Sequence, residues 1–116
     1  MAGITIRWWD WFPLQSWRLV ETVEDADDVA ERLPRNGMSL VGQVDAPKWL
    51  VFDCPCRSGH RIMLNADPSR RPFWQLRVSN RRRITVMPSV DYHGPARRCH
   101  YFVRRGRILW ATSLRD

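Results

Sequence analysis

The stretch WLVFDCPCRSGHRIMLN, residues 49–65, decides how this chain is read. Its two ends, Trp49–Asp53 and Arg61–Asn65, are rich in apolar residues and read as strands. Between them Pro55 and Gly59 mark a turn that carries Cys54, Cys56 and His60. Residues two apart share a face of an extended chain, so the two thiols of the CPC triplet point the same way, and a turn draws their sulfurs closer still. A strand, a thiol-bearing turn and a second strand predict a small β domain whose hairpin end is stapled by a metal.

Outward from this stretch the same alternation of short strands and turns continues. Ser39–Val44, Trp74–Val78, Ile84–Met87, Tyr101–Arg104 and Arg107–Ala111 read as strands. SNRRR (residues 79–83) predicts a hairpin with a basic tip, and Arg105–Gly106 a two-residue hairpin turn. Residues 16–23 predict a further strand, and residues 4–12 (ITIRWWDWF) a strand or extended arm ending at Pro13. Val23, Ala26, Val29, Ala30 and Leu33 lie near helical spacing, which predicts a short helix over residues 24–33 with Glu24, Asp25, Asp27 and Asp28 at its positive end and Pro34 as its stop. The expected fold is mainly β (α+β): a small antiparallel sheet of hairpins with one short helix, stapled by zinc. At 116 residues the chain is expected to form one domain, with residues 1–20 as a Trp-rich N-terminal strand or arm.

Three cysteines are an odd count, and no apolar run approaches the length that spans a bilayer. No basic region followed by an apolar stretch opens the chain, so the expected location is the cytoplasm, where thiols serve metals more often than disulfides. The third cysteine lies in HGPARRCHYF (residues 93–102), where Cys99 is followed by His100. Cys54, Cys56, Cys99 and one imidazole make the sulfur-rich, four-ligand shell of a structural zinc site, and soft thiolates argue against magnesium or calcium. His100 ranks first as the fourth ligand; His93, in the same loop, and His60, close to Cys56, are the alternatives. The competing chemistry is a nucleophilic Cys54 or Cys56 beside Arg57 and His60, for which no local motif supplies an orienting group or an oxyanion hole.

The net charge is +7, almost all of the positive charge being arginine, since Lys48 is the sole lysine. Arg81, Arg82 and Arg83, with Arg97, Arg98, Arg104, Arg105 and Arg107, fall on the predicted hairpin tips and their flanks. Such residues beside aromatic rings suit nucleic-acid phosphates and bases. They equally suit an acidic partner protein or a solvated face. No recognition helix or RNA-binding string is present, which favours the latter readings. Seven tryptophans are spread along the chain, and Trp8 and Trp9 are candidate partner-binding residues because tryptophan is enriched at binding hot spots.

The runs LPRNGMSLVG (33–42), WLVFDCPCRSGHRIMLN, ITVMPSV (84–90) and CHYFVRRGRILWA (99–111), taken in order, resemble a small bacterial family of uncharacterised metal-binding proteins. Its genes lie beside those of bacterial ubiquitin-like conjugation systems. The likeness spans about residues 33–111 and rests most on the PSV and HYFVRRGRI strings. In that family the first cluster reads CxCGCG, and here Ser58 stands at its third cysteine. The second cluster reads cysteine, two residues, histidine and an aromatic pair; His100, Tyr101 and Phe102 match, while the family's cysteine falls on Arg97 and this chain has Cys99. The resemblance therefore implies His100 as the fourth ligand. It also implies an accessory or adaptor protein of a ubiquitin-like conjugation pathway, without catalysis of its own. The implied partners are a conjugation enzyme or the ubiquitin-like protein. A nucleic-acid-binding zinc module is the alternative, and thiol-dependent action on conjugates a lesser one.

Overall fold

A computed structural model describes residues 3–13, 15–95 and 97–111. Among the described residues eight strands form two four-stranded sheets. The first holds β1 (Arg18–Val23), β2 (Gly37–Gln43), β3 (Ala46–Asp53) and β4 (Arg61–Asn65) in that order. The second holds β5 (Gln75–Val78), β6 (Ile84–His93), β7 (Arg98–Arg104) and β8 (Arg107–Trp110), also in order. Mainly-β architecture is thus as expected, divided into two sheets and not one. All pairings are antiparallel except β1 with β2. No helix among the described residues is long and apolar enough to cross a membrane.

The expected helix over residues 24–33 is absent, and in its place stands one short 3-10 turn, Ala26–Asp28. A side chain takes a backbone N–H that a helix would have bonded to the Ala26 carbonyl, and Val29 N–H takes that carbonyl instead. The Ala30 N–H donates to the Glu21 carboxylate at 2.9 Å, and Arg61 donates to the carbonyls of Ala30 and Glu31 at 3.0 Å each. With those partners fixed from β1 and β4, the segment crosses in an open conformation that lays β2 parallel to β1.

Within the expected N-terminal strand or extended arm, Trp8–Trp11 form a 3-10 turn. The Asp10 carboxylate accepts the Arg7 N–H at 2.8 Å, a local bond that competes with an extended ladder. Arg18, buried at the start of β1, donates to the Asp10 carbonyl at 2.7 Å and pairs with its carboxylate at 3.3 Å. This buried anchor holds the turn down and leaves Trp8, Trp9, Trp11 and Phe12 exposed.

The two sheets share one core. Leu40, Leu50 and Phe52 from the first sheet meet Val86, Tyr101 and Val103 from the second, all essentially inaccessible to solvent. Trp17 packs edge-on against Phe52 with ring centroids 5.9 Å apart. Backbone bonds join the sheets at this corner: Trp17 N–H to the Gly106 carbonyl at 2.9 Å, and Ile84 N–H to the Trp17 carbonyl at 3.4 Å. Gly106 sits at φ +79° behind Arg105 at φ +48°, the left-handed pair that a two-residue hairpin turn demands. A side chain at Gly106 would stand 2.8 Å from the Trp17 carbonyl oxygen.

Candidate functional site

At the end of the β3–β4 hairpin the chain makes the turn read from the sequence. The Arg57 N–H bonds the Cys54 carbonyl and the Cys54 N–H bonds the His60 carbonyl, each at 3.0 Å. Arg57 at φ +61° and Gly59 at φ +92° supply the reversal. Cys99 faces the turn from β7. The Sγ atoms of Cys54, Cys56 and Cys99 and a ring nitrogen of His60 all lie within 4.8 Å of one another. The Cys56 sulfur is 3.5 Å from His60 Nε2.

The donor set fits a tetrahedral metal ion. With metal–ligand bonds of about 2.0–2.3 Å, tetrahedral ligands stand roughly 3.3–3.8 Å apart, so a small contraction of this group closes the shell. Three thiolates and an imidazole leave no open coordination position. The surroundings brace the ligands: the His60 ring stacks on Tyr92 with centroids 4.1 Å apart and planes inclined by 11°. Tyr92 is the cross-strand neighbour of Cys99, and the Tyr101 hydroxyl lies 3.7 Å from the Cys54 sulfur.

The thiols are not equivalent. Burial pushes the Cys54 thiol up. Burial, then the neighbouring Cys56 and Cys54, push Cys99 up to about 12. Burial also raises Cys56, but hydrogen bonds from the Ser58 side chain and backbone more than reverse it and leave that thiol at about 7. Burial, with the adjacent cysteine sulfurs, raises the Tyr101 hydroxyl well above its usual range.

Three of the four ligands expected from the sequence, Cys54, Cys56 and Cys99, meet here, and the histidine beside them is His60, not His100. Cys99 and His100 are neighbours in a strand, so their side chains leave opposite faces of the sheet. Cys99 points inward with Tyr101 and Val103, while His100 points outward, where its Nε2 lies 2.9 Å from the Ser89 hydroxyl. His93 is elsewhere too, 3.1 Å from Asp91.

Ser89 follows Pro88 in β6, where the pairing with β7 is irregular between Val86 and Val90. The Trp74 indole N–H donates to the Ser89 carbonyl at 3.0 Å and fixes the backbone there. Ser89 and His100 are both part-buried. Asp91 stands directly across the ladder from His100. Its oxygens accept from Arg98 at 2.9 and 2.8 Å, and that contact, aided by His93, holds its carboxyl far below the usual range. A serine hydroxyl bonded to an imidazole nitrogen is the elementary unit of nucleophilic catalysis by serine. The sequence reading missed Ser89, although the PSV and HYF strings already contained both members of the pair.

The arginines expected to bind a partner are dispersed. Arg81 and Arg82 are exposed in the β5–β6 turn and, with Trp9 and Arg18, line a shallow cavity. Arg83 bridges to Arg18 of the first sheet. Arg104 and Arg105 are exposed at the β7–β8 turn. Trp8 is 70% exposed and Trp9 46%, so these rings belong to the surface and not the core.

A model of the BubE family, described as a bacterial ubiquitination-like system serine protease, matches residues 23–111. No curated protein and no solved structure gave a significant match. The matched span includes all four members of the thiol–imidazole cluster and the Ser89–His100 pair, and excludes the Trp8–Trp11 turn.

Proposed function

The chain belongs to the BubE family of a bacterial ubiquitination-like system, and on that footing we propose that it is a serine hydrolase that cleaves the acyl bond at the C-terminus of a ubiquitin-like protein. The observation that carries the reading is the 2.9 Å contact between Ser89 Oγ and His100 Nε2 on the outer face of the second sheet. The family description, which names a serine protease, supports it against the expectation of a module without catalysis.

In this reading His100 takes the Ser89 proton as the hydroxyl oxygen attacks the carbonyl carbon. The imidazolium then gives that proton to the departing amine, leaving an acyl-serine. Water, deprotonated by His100, attacks the acyl-serine, and the Ser89 oxygen leaves with the proton. Zinc is the ion proposed for Cys54, Cys56, His60 and Cys99. Its work there is structural, because the shell is closed and lies on the opposite face of the sheet from His100.

Cleavage of a ubiquitin-like protein bearing a C-terminal extension tests the proposal. Wild type is expected to cut, and S89A and H100A to lose about a thousandfold or more of the rate, as expected for members of one nucleophile–base unit. Full activity in S89A would sink it. The second reading is an adaptor that docks a conjugation enzyme or ubiquitin-like protein, favoured by the exposed Trp8, Trp9, Trp11 and Phe12. It predicts binding without cleavage in wild type. Membership in a protein-modifying system gives no support to the nucleic-acid alternative.

A further inference from the structure

A cavity of about 370 Å³ lies between the Trp8–Trp11 turn, the Arg32–Gly37 segment and the cysteine-bearing turn. Its walls carry Trp11 and Trp17 and three guanidinium groups, those of Arg32, Arg35 and Arg57. Two of these three exposed cations are positioned by aromatic rings. Arg32 lies over the Trp11 ring at 5.2 Å from its centroid, and Arg57 over Trp17 at 6.0 Å. Arg57 also donates to the Asn36 side chain at 2.7 Å, and Asn36 in turn donates to the Gln15 carbonyl at 2.6 Å.

Three like charges around one cavity repel one another. Asp53 is the one carboxylate of the lining, and it already pairs with Arg61 at 3.0 Å. Among the described residues no ion pair involves Arg32, Arg35 or Arg57. Two guanidinium forks held over aromatic rings, with a third beside them and no paired carboxylate, suit a bidentate oxyanion.

We infer that this cavity binds an oxyanion, carboxylate or phosphate, with Arg32, Arg35 and Arg57 as its ligands. The inference stands apart from the hydrolase reading, since neither Ser89 nor His100 lines the cavity. It joins the N-terminal turn, which lies outside the family match, to the segment that follows it.

The test uses the full chain with its metal. Tryptophan fluorescence and thermal unfolding are followed while inorganic phosphate, acetate or a capped tetraglutamate peptide is added, against sodium chloride at equal ionic strength. Saturable binding of phosphate, or of the carboxylate probes, is expected beyond the chloride response, and the tighter probe identifies which oxyanion the site takes. R32Q/R35Q is expected to weaken it about tenfold or more, since each group forms charge-assisted bonds. R35Q alone, at an exposed side chain, serves should the double variant unfold, and R77Q on the second sheet is the control. A response no greater than chloride's with every probe, or equal affinity in wild type and R35Q, would overturn the inference.

Discussion

Replacing His60 and His100 separately by alanine tests the proposal that His60, and not the sequence neighbour of Cys99, is the fourth metal ligand. Structural zinc in small domains contributes about 10–16 kcal/mol, so one ligand of four carries roughly 2.5–4 kcal/mol of that. His60 also stacks on Tyr92 at 4.1 Å, and such ring pairs add about 0.5–1.5 kcal/mol. H60A should therefore cost about 3–5 kcal/mol. For a chain of 116 residues, about 1 kcal/mol moves Tm by about 4 °C, which places the H60A shift near 12–20 °C. His100 forms one part-buried hydrogen bond, to Ser89, so H100A should cost about 0.5–1.5 kcal/mol and a few degrees. The assay pairs metal content per chain, by plasma emission, with thermal unfolding of each variant. H60A is expected to surrender its metal to a chelator that wild type withstands, and H100A to keep a full equivalent. A metal-free H100A beside a metal-replete H60A would refute the assignment and restore the ligand implied by family resemblance.

Three further outcomes follow from other parts of the molecule. Metal binding to the apo protein at pH 7 should release between about two and three protons, because Cys54 and Cys99 stay protonated while Cys56, at about 7, is already half ionised. Affinity should accordingly fall as pH falls, and calorimetry in two buffers of different ionisation heat reads the proton count. D10A should cost about 1–3 kcal/mol in urea unfolding, below the figure for a stripped buried ion pair, because Arg18 keeps its bonds to the Ser16 and Arg35 carbonyls. An unchanged urea midpoint would refute the anchoring role given to Asp10. G106A should cost at least about 1–3 kcal/mol from its positive φ alone, with more from the 2.8 Å approach to the Trp17 carbonyl; a midpoint equal to wild type would contradict it.

Local patterns were legible where local forces decide. Arg61–Asn65 coincides with its predicted strand, and Arg105–Gly106 forms the two-residue turn its glycine announces. The segment after β1 departs from the helix its spacing suggests because Glu21, outside that segment, claims the Ala30 N–H. Nothing in its spacing announces that capture or the parallel pairing of β1 with β2. Cys54, Cys56 and Cys99 were legible as a set because sulfur is scarce in this chain and its chemistry narrow. The histidine was not, because three candidates lie within reach and strand direction alone separates His60 from His100. Alternation along β7 argues against using both Cys99 and His100, since consecutive strand residues leave opposite faces. The expected ubiquitin-like system is the part of the functional reading that the family match bears out.

The alternation of β7 has a consequence for how the molecule guards against its own mispairing. Cys99 and His100 are consecutive, one facing the sulfur cluster and the other Ser89. A slip of β7 by one residue would exchange them, presenting imidazole to the metal turn and a thiol to the serine. The slipped sheet would forfeit a thiolate from the cluster and the imidazole from the serine in the same stroke. The burial of Cys99, Tyr101 and Val103 on one face thus decides at once which side chain meets the sulfur cluster and which meets Ser89.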